Sequence, residues 1–279
     1  MDILFIALEQ SFLILPLILG MYISYEIMKI TDLTVDGTYV LGAGIFARTI
    51  DFGLFPALIF SMLAGMIVGS IVSFMQKNDR IDSLIAGILA SFMLYSVNLR
   101  ILRRHNISIL GTPTILSLFN LENWLIPLTI INCIIIISLV FLLNGRLGLL
   151  LRAFGYNKNL LGILGKRPEV YRTIGLALSN GFAALTGALA AQVNGFADIN
   201  MGIGLALTSV GAIVIGLHIF RGNPQYFHIF MQVIACFVGI FFYFVSLSSI
   251  LHIGIDPVNL KLVLGVILFI SLQRNRNYG

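Results

Sequence analysis

The sequence predicts an all-α polytopic membrane protein, a single transmembrane domain over residues 1–279 with about nine spans. Of 279 residues, 58% are apolar and only 10% are charged, against roughly 25% charge in a soluble domain. Mean hydropathy is +1.00, so there is too little polar surface to clothe a globule in water. That excludes a soluble enzyme, a nucleic-acid binder and a disordered chain. The apolar residues fall in runs approaching the ~20 that a helix needs to cross the hydrocarbon layer. An open sheet cannot satisfy its backbone in lipid, and the alternation of barrel strands is missing, so the runs are read as helices.

Nine segments follow in order: 4–28, 36–50, 55–76, 83–103, 123–144, 170–192, 203–220, 225–247 and 257–272. The first begins behind Met1-Asp2-Ile3, which lacks a basic leader, and is expected to be a retained span; Pro16 should kink it. Pro168-Glu169, Asn223-Pro224 and Asp256-Pro257 have the form of helix starts, the last two with a capping residue before a first-turn proline. Two segments are short and interrupted by glycine. One opens Asp36-Gly37-Thr38-Tyr39-Val40-Leu41-Gly42, and the other is led by Asp198-Ile199-Asn200-Met201-Gly202-Ile203-Gly204. They cross in opposite senses in the two halves of the chain, the pattern of broken helices in an inverted repeat; glycines that only allow close packing are the alternative.

Charge sets the orientation. With the loop 145–169 in the cytoplasm, Lys29, Lys77, Arg80, Arg146, Arg152, Lys158, Lys166, Arg167, Arg172, Arg221, Arg274 and Arg276 fall inside, twelve of the seventeen Lys and Arg. Arg48, Arg100, Arg103, Arg104 and Lys261 fall outside. The excess puts the N-terminus out and the C-terminus in, and the net charge of +5 needs no nucleic-acid partner.

Reactive chemistry is sparse. His105, His218, His228 and His252 form no HExxH pair, Cys133 and Cys236 lie far apart, and there is no GxSxG elbow or GxxxxGK[ST] loop, so no metal, nucleophile or ATP site is expected in this chain. Ionisable groups within spans are costly and hence informative. Glu9 either lines a polar path or bonds a neighbouring helix; Glu26, beside Lys29, sits at the inner end of its span and can snorkel. Asp36 and Asp198 either cap the two broken helices or line a path. Polar groups in or beside the broken spans give Glu9, Asp36, Thr38, Asn194, Asp198 and Asn200 as candidate pathway residues.

The loop 145–169 interleaves basic residues with a short apolar stripe, Leu160, Leu161, Ile163 and Leu164, between glycines. A short helix there would lie across the membrane plane, on headgroups or in the groove of a soluble partner.

Arg152-Ala153-Phe154-Gly155-Tyr156-Asn157 followed by Gly165 resembles the coupling loop of ABC importer permeases of the branched-chain amino-acid and sugar superfamily. Asp32-Leu33-Thr34-Val35-Asp36-Gly37, with Thr38 where serine is usual, resembles a signature of one subgroup, uncharacterised permeases of tryptophan/tyrosine type. So do Gly175-Leu176-Ala177-Leu178-Ser179-Asn180, Ala184-Leu185-Thr186-Gly187 and Gly195-Phe196-Ala197-Asp198-Ile199-Asn200. The resemblance implies a type II importer-like fold with broken helices and a homodimer around the translocation path. It also implies an ATPase dimer that binds ATP and Mg, an extracytoplasmic substrate-binding protein, and a bacterial inner membrane. Coupling would fall to Arg152, Gly155, Tyr156, Asn157, Leu160, Leu161, Leu164 and Gly165. Gly162 departs from the larger residue common in the family, and the chain beyond 220 is less diagnostic. Arg100, Arg103 and Arg104, against the positive-inside trend, would dock the binding protein or contact lipid phosphate. The rival reading is a self-sufficient secondary transporter or channel coupled to ions through Glu9.

Overall fold

The computed structural model describes residues 2–77, 80–119, 123–220 and 228–252. The helices are α1 (Asp2–Met21), α2 (Val35–Thr49), α3 (Leu54–Met75), α4 (Ser83–Leu102), α5 (Ile115–Leu118), α6 (Leu125–Asn144), α7 (Arg146–Tyr156), α8 (Lys158–Ile163), α9 (Pro168–Asn194), α10 (Leu205–Ile219) and α11 (Ile229–His252). Among the described residues, six are long and apolar enough to cross a membrane: α1 with its continuation to Ile27, α3, α4, α6, α9 and α11. The expected segment 257–272 lies outside the described residues, as do the Asn223-Pro224 and Asp256-Pro257 starts. Pro168 does open α9, where its missing N–H costs nothing.

The two glycine-interrupted segments are the short ones. Helices α2 and α10 have 15 residues each, about 22 Å of rise, less than the ~30 Å hydrocarbon layer. Helix α1 runs on through Pro16 and then widens into a π-helical turn over Tyr22–Ile27. A feature with no counterpart in the hydropathy pattern is a two-stranded antiparallel ribbon, β1 (Asn106–Ser108) with β2 (Phe196–Asp198). It ties the C-terminal end of α4 to that of α9. At the opposite end, residues following α1 and α3, the start of α4, and the loop after α7 line one common cavity with Arg172 of α9. The long helices therefore run up and down between two faces.

Helix α9 is the hub. Glycines on three neighbours let them approach its backbone: a Cβ on Gly20 of α1 would meet the Ser179 carbonyl at 2.7 Å, and one on Gly42 of α2 or Gly69 of α3 would overlap the carbonyls of Ala184 and Leu176. Lipid offers little hydrophobic drive for helices to associate, so such contact surface supplies the attraction. Gly216 of α10 and Gly239 of α11 do the same for the second short helix.

Gly187 is the sharpest test of this packing, because an added Cβ there would overlap the Tyr39 carbonyl oxygen, which is fixed backbone. Gly187→Leu is expected to cost at least about 1–3 kcal/mol through overpacking, read as a clear fall in apparent Tm in detergent. Gly162→Ala meets open space and should be neutral or stabilising, since alanine favours a helix over glycine by up to about 1 kcal/mol.

Candidate functional site: the junction of two short helices

Asp32 and Thr34, in the connection between α1 and α2, are buried, and a polar network holds them. Asp32 accepts from the Thr34 N–H (2.9 Å) and from Asn180 Nδ2 on α9 (2.7 Å); Thr38 Oγ1 donates to Asn180 Oδ1 (2.7 Å). Asp32, Thr34, Thr38 and Asn180 are all fully buried, so such partners offset the desolvation penalty, although Thr34 Oγ1 has none among the described residues. The network fixes where α2 starts.

The start lies deep in the bundle. Ser91 Oγ donates to the Leu33 carbonyl (2.9 Å) and Asn98 Nδ2 to the Gly37 carbonyl (2.8 Å), and Gly37 backs directly on Leu94. These partners belong to the middle of α4, so α2 begins near half depth. There the N-terminus of α10 meets it: the Asp36 carboxylate accepts from the Gly204 N–H (3.0 Å) and from the Ala206 N–H (2.7 Å). A negative group thus sits on the positive end of α10. Gly202 and Gly204 permit the approach, the first because a Cβ would overlap the Asp36 carbonyl, the second by its positive φ of +88°.

The capping expectation needs two corrections. Asp36 does cap a broken helix, but it caps α10, 168 residues onward; its own helix starts behind Thr34. Asp198 opens no helix. It lies in β2 opposite Asn106, its carboxylate accepting from Asn106 Nδ2 (3.3 Å) and from the Asn200 N–H (2.8 Å), because α10 begins only at Leu205 behind Gly204.

Beside the junction is a cavity of about 570 Å³, lined by Asp36 and Gly37 of α2, by Ser91, Phe92, Tyr95 and Asn98 of α4, and by Ile199, Gly202 and Ile203 ahead of α10. Its walls are mainly apolar with a few polar atoms, the composition of small-molecule sites. Asn98 Nδ2 is spent on the Gly37 carbonyl, and its Oδ1 is buried with no hydrogen-bond partner among the described residues.

Of the six candidate pathway residues, only Asp36 lines this cavity. Thr38 faces α9. Asn194 is the exposed last residue of α9, and Asp198 and Asn200 belong to the ribbon and the turn after it, so these three mark the ribbon face. Glu9 is half-buried on α1, away from the cavity. The α4 residues were missed in the sequence, although Ser91, Tyr95 and Asn98, at i, i+4 and i+7 of an apolar span, lie on one helical face.

At the far end the loop 145–169 forms two helices, not the single one expected, because Asn157 breaks α7 and its Oδ1 caps α8 through the Asn159 N–H (2.9 Å). Arg152 is half-buried, donating to the carbonyls of Leu143 (2.7 Å) and Gly148 (3.2 Å), and Gly155 abuts the Ile27 carbonyl. Leu161 is fully buried, Gly165 leaves α8 with φ +66°, and Tyr156, Leu160, Ile163 and Leu164 point outward. On the ribbon face Arg100, Arg103 and Arg104 are exposed at the end of α4, whose last carbonyls, Ile101 and Leu102, accept from Arg48 (2.9 and 2.7 Å).

The site is an amphipathic cavity where two opposed short helices meet inside a bundle of long apolar helices. The family described as branched-chain amino acid transport system / permease component matches residues 3–272, and the chain belongs to that family: it is a permease component of a transport system. It is 67% identical over 273 residues to an uncharacterized protein of Rickettsia prowazekii (strain Madrid E), covering 98% of each chain. It is 33% identical over 270 residues to a tyrosine transport system permease protein of Clostridioides difficile (strain R20291), covering 95% of this chain and 88% of that one. No solved structure matches it.

Proposed function

We propose that two copies of the chain form the translocation path of an ATP-driven importer for an amino acid, with aromatic amino acids first, in a bacterial inner membrane. The observation that carries the reading is the outward apolar row Tyr156, Leu160, Ile163 and Leu164 on α7–α8: a loop helix that buries one leucine and presents the rest is built to enter a partner's groove. The partner is an ATPase dimer, which binds the ATP and Mg, and the loop acts as its coupling element. The charge excess puts this face in the cytoplasm. Alternating access then follows from movement of α7–α8 passed to α1 at the Gly155–Ile27 contact and to α9, and from there to the Asp36 junction. The C. difficile relative and the Phe92 and Tyr95 walls support an aromatic substrate.

The experiment is uptake of labelled tyrosine into proteoliposomes holding permease and ATPase, with the binding protein added outside. Uptake that needs ATP and the binding protein supports the reading; uptake by the permease alone on an ion gradient, lost in Glu9→Gln, replaces it with the carrier reading. In the same system Arg100→Glu/Arg103→Glu/Arg104→Glu should abolish stimulation by the binding protein while basal ATPase activity survives; unchanged stimulation removes the docking role of this cluster.

A further inference from the structure

Helix α1 leaves α geometry twice, and only the first departure has a local cause. Pro16 has no N–H to offer the Phe12 carbonyl, which instead accepts from Asn132 Nδ2 of α6 (2.7 Å). The second departure is the π-helical turn Tyr22–Ile27, which contains neither proline nor glycine. There the Met28 N–H reaches the Ile23 carbonyl (3.0 Å) and the Ile30 N–H the Ser24 carbonyl (2.8 Å), wider steps than the i→i−4 of an α-helix. The chain leaves the turn through Lys29 at φ +56°, a value uncommon for a residue with a side chain. Such wide turns are rare, hold one residue more than an α turn and recur at functional sites.

With no kink-forming residue inside it, the turn is held by its neighbours, each on a different helix. Tyr22 Oη donates to Gln232 Oε1 of α11, Ser24 Oγ lies 3.2 Å from Ser179 Oγ of α9, and the Ile27 carbonyl abuts Gly155 of α7. Toward α7 and the start of α11 the turn is not close-packed: a cavity of about 160 Å³ remains there, lined by Tyr22, Glu26, Arg152, Gly155 and Gln232. Just beyond Ile30 lies Asp32, the anchor of the network that sets the start of α2. The turn thus stands between the loop helices and the Asp36 junction.

We infer that this π turn is the hinge of the permease. Pressed at Ile27 by α7, it closes into an α turn, and its spare residue passes into the connection at Lys29, turning the segment that carries Asp32. An N–H that reaches back five residues in one state reaches back four in the other, so the change forfeits no backbone hydrogen bond. The contacts at Tyr22, Ser24 and Ile27 then decide which state is held, and the cavity beside the turn gives it room to move. The inference rests on the coupling role proposed for α7–α8 and names the element on which that coupling acts.

The test is deletion of Tyr25, which removes the spare residue, keeps Tyr22, Ser24 and Ile27, and closes the turn permanently. In proteoliposomes with the ATPase and the binding protein, the deletion should keep the ATPase bound yet lower tyrosine uptake at least about tenfold, because the hinge has only one state left. Tyr25→Ala, which changes the side chain and leaves the turn its length, should keep uptake near that of the parent. Parental uptake by the deletion variant, or equal loss in Tyr25→Ala, overturns the inference. Should the deletion variant fail to fold, hydrogen exchange in the parent complex decides. Amides of residues 22–30 should change their exchange by about tenfold or more when the ATPase is trapped with a non-hydrolysable ATP analogue, while residues 8–20 stay unchanged. Equal exchange of 22–30 in both states overturns the hinge while the ATPase remains bound. A parent chain that binds no ATPase overturns the coupling role itself, and the hinge with it.

Discussion

Asp36→Ala is expected to reduce uptake by the assembled transporter at least tenfold at equal amounts of protein in the membrane. The carboxylate satisfies the N–H groups of Gly204 and Ala206 at the start of α10, and Ala206 is 1% exposed. Alanine leaves both donors without an acceptor, at about 1–3 kcal/mol each, and removes the negative charge from the end of α10. Losses of that size shift the packing of α10 against α2 and so deform the wall of the cavity. Asp36→Asn keeps one acceptor oxygen and turns an amide toward the other donor, so it should fall between alanine and the parent. Thermal stability should follow the same order. Wild-type uptake by Asp36→Ala would mean that the junction of the short helices has no part in transport.

The second large effect concerns α8. Leu160→Asp/Ile163→Asp/Leu164→Asp should leave folding and membrane insertion intact, because the three side chains are 45%, 84% and 58% exposed. Association with the ATPase should fall by more than about a hundredfold, since burying each such side chain in a groove is worth roughly 1.5–3 kcal/mol and a charge in its place opposes burial. Leu161→Asp should do the reverse: Leu161 is fully buried, so the expected result is loss of folded protein. Pull-down of the ATPase set beside a size-exclusion profile separates the outcomes. Equal ATPase recovery with the triple variant would remove α8 from the interface.

Much of the architecture was legible in the sequence because lipid leaves a chain few choices. The long spans follow from apolar length, the start of α9 from Pro168, and the shortness of α2 and α10 from their glycines. What was not legible depends on contacts across the fold. Asp36 carries the local look of a cap for its own helix, and nothing near it in sequence identifies Gly204 and Ala206 as its partners. The ribbon joins three-residue strands about 90 residues apart, too short for any periodicity to register. Thr38 and Asp36 are two residues apart in one polar signature yet face different neighbours, Asn180 and α10, because successive helical positions diverge by about 100°. In α8 the same rotation buries Leu161 and exposes Leu160, which the stripe of four apolar residues could not sort. Ser91, Tyr95 and Asn98 were findable, as a polar face on an otherwise apolar span.

In the proposed transporter the energy for uptake comes from another subunit. The most direct measurement is purification of the tagged chain from its native membrane in mild detergent, with mass spectrometry of what accompanies it. An ATP-binding-cassette subunit in roughly equal amount, lost when residues 156–164 are deleted while the permease itself is still recovered, is the predicted result. An oligomer free of ATPase that transports in liposomes on an ion gradient would contradict it.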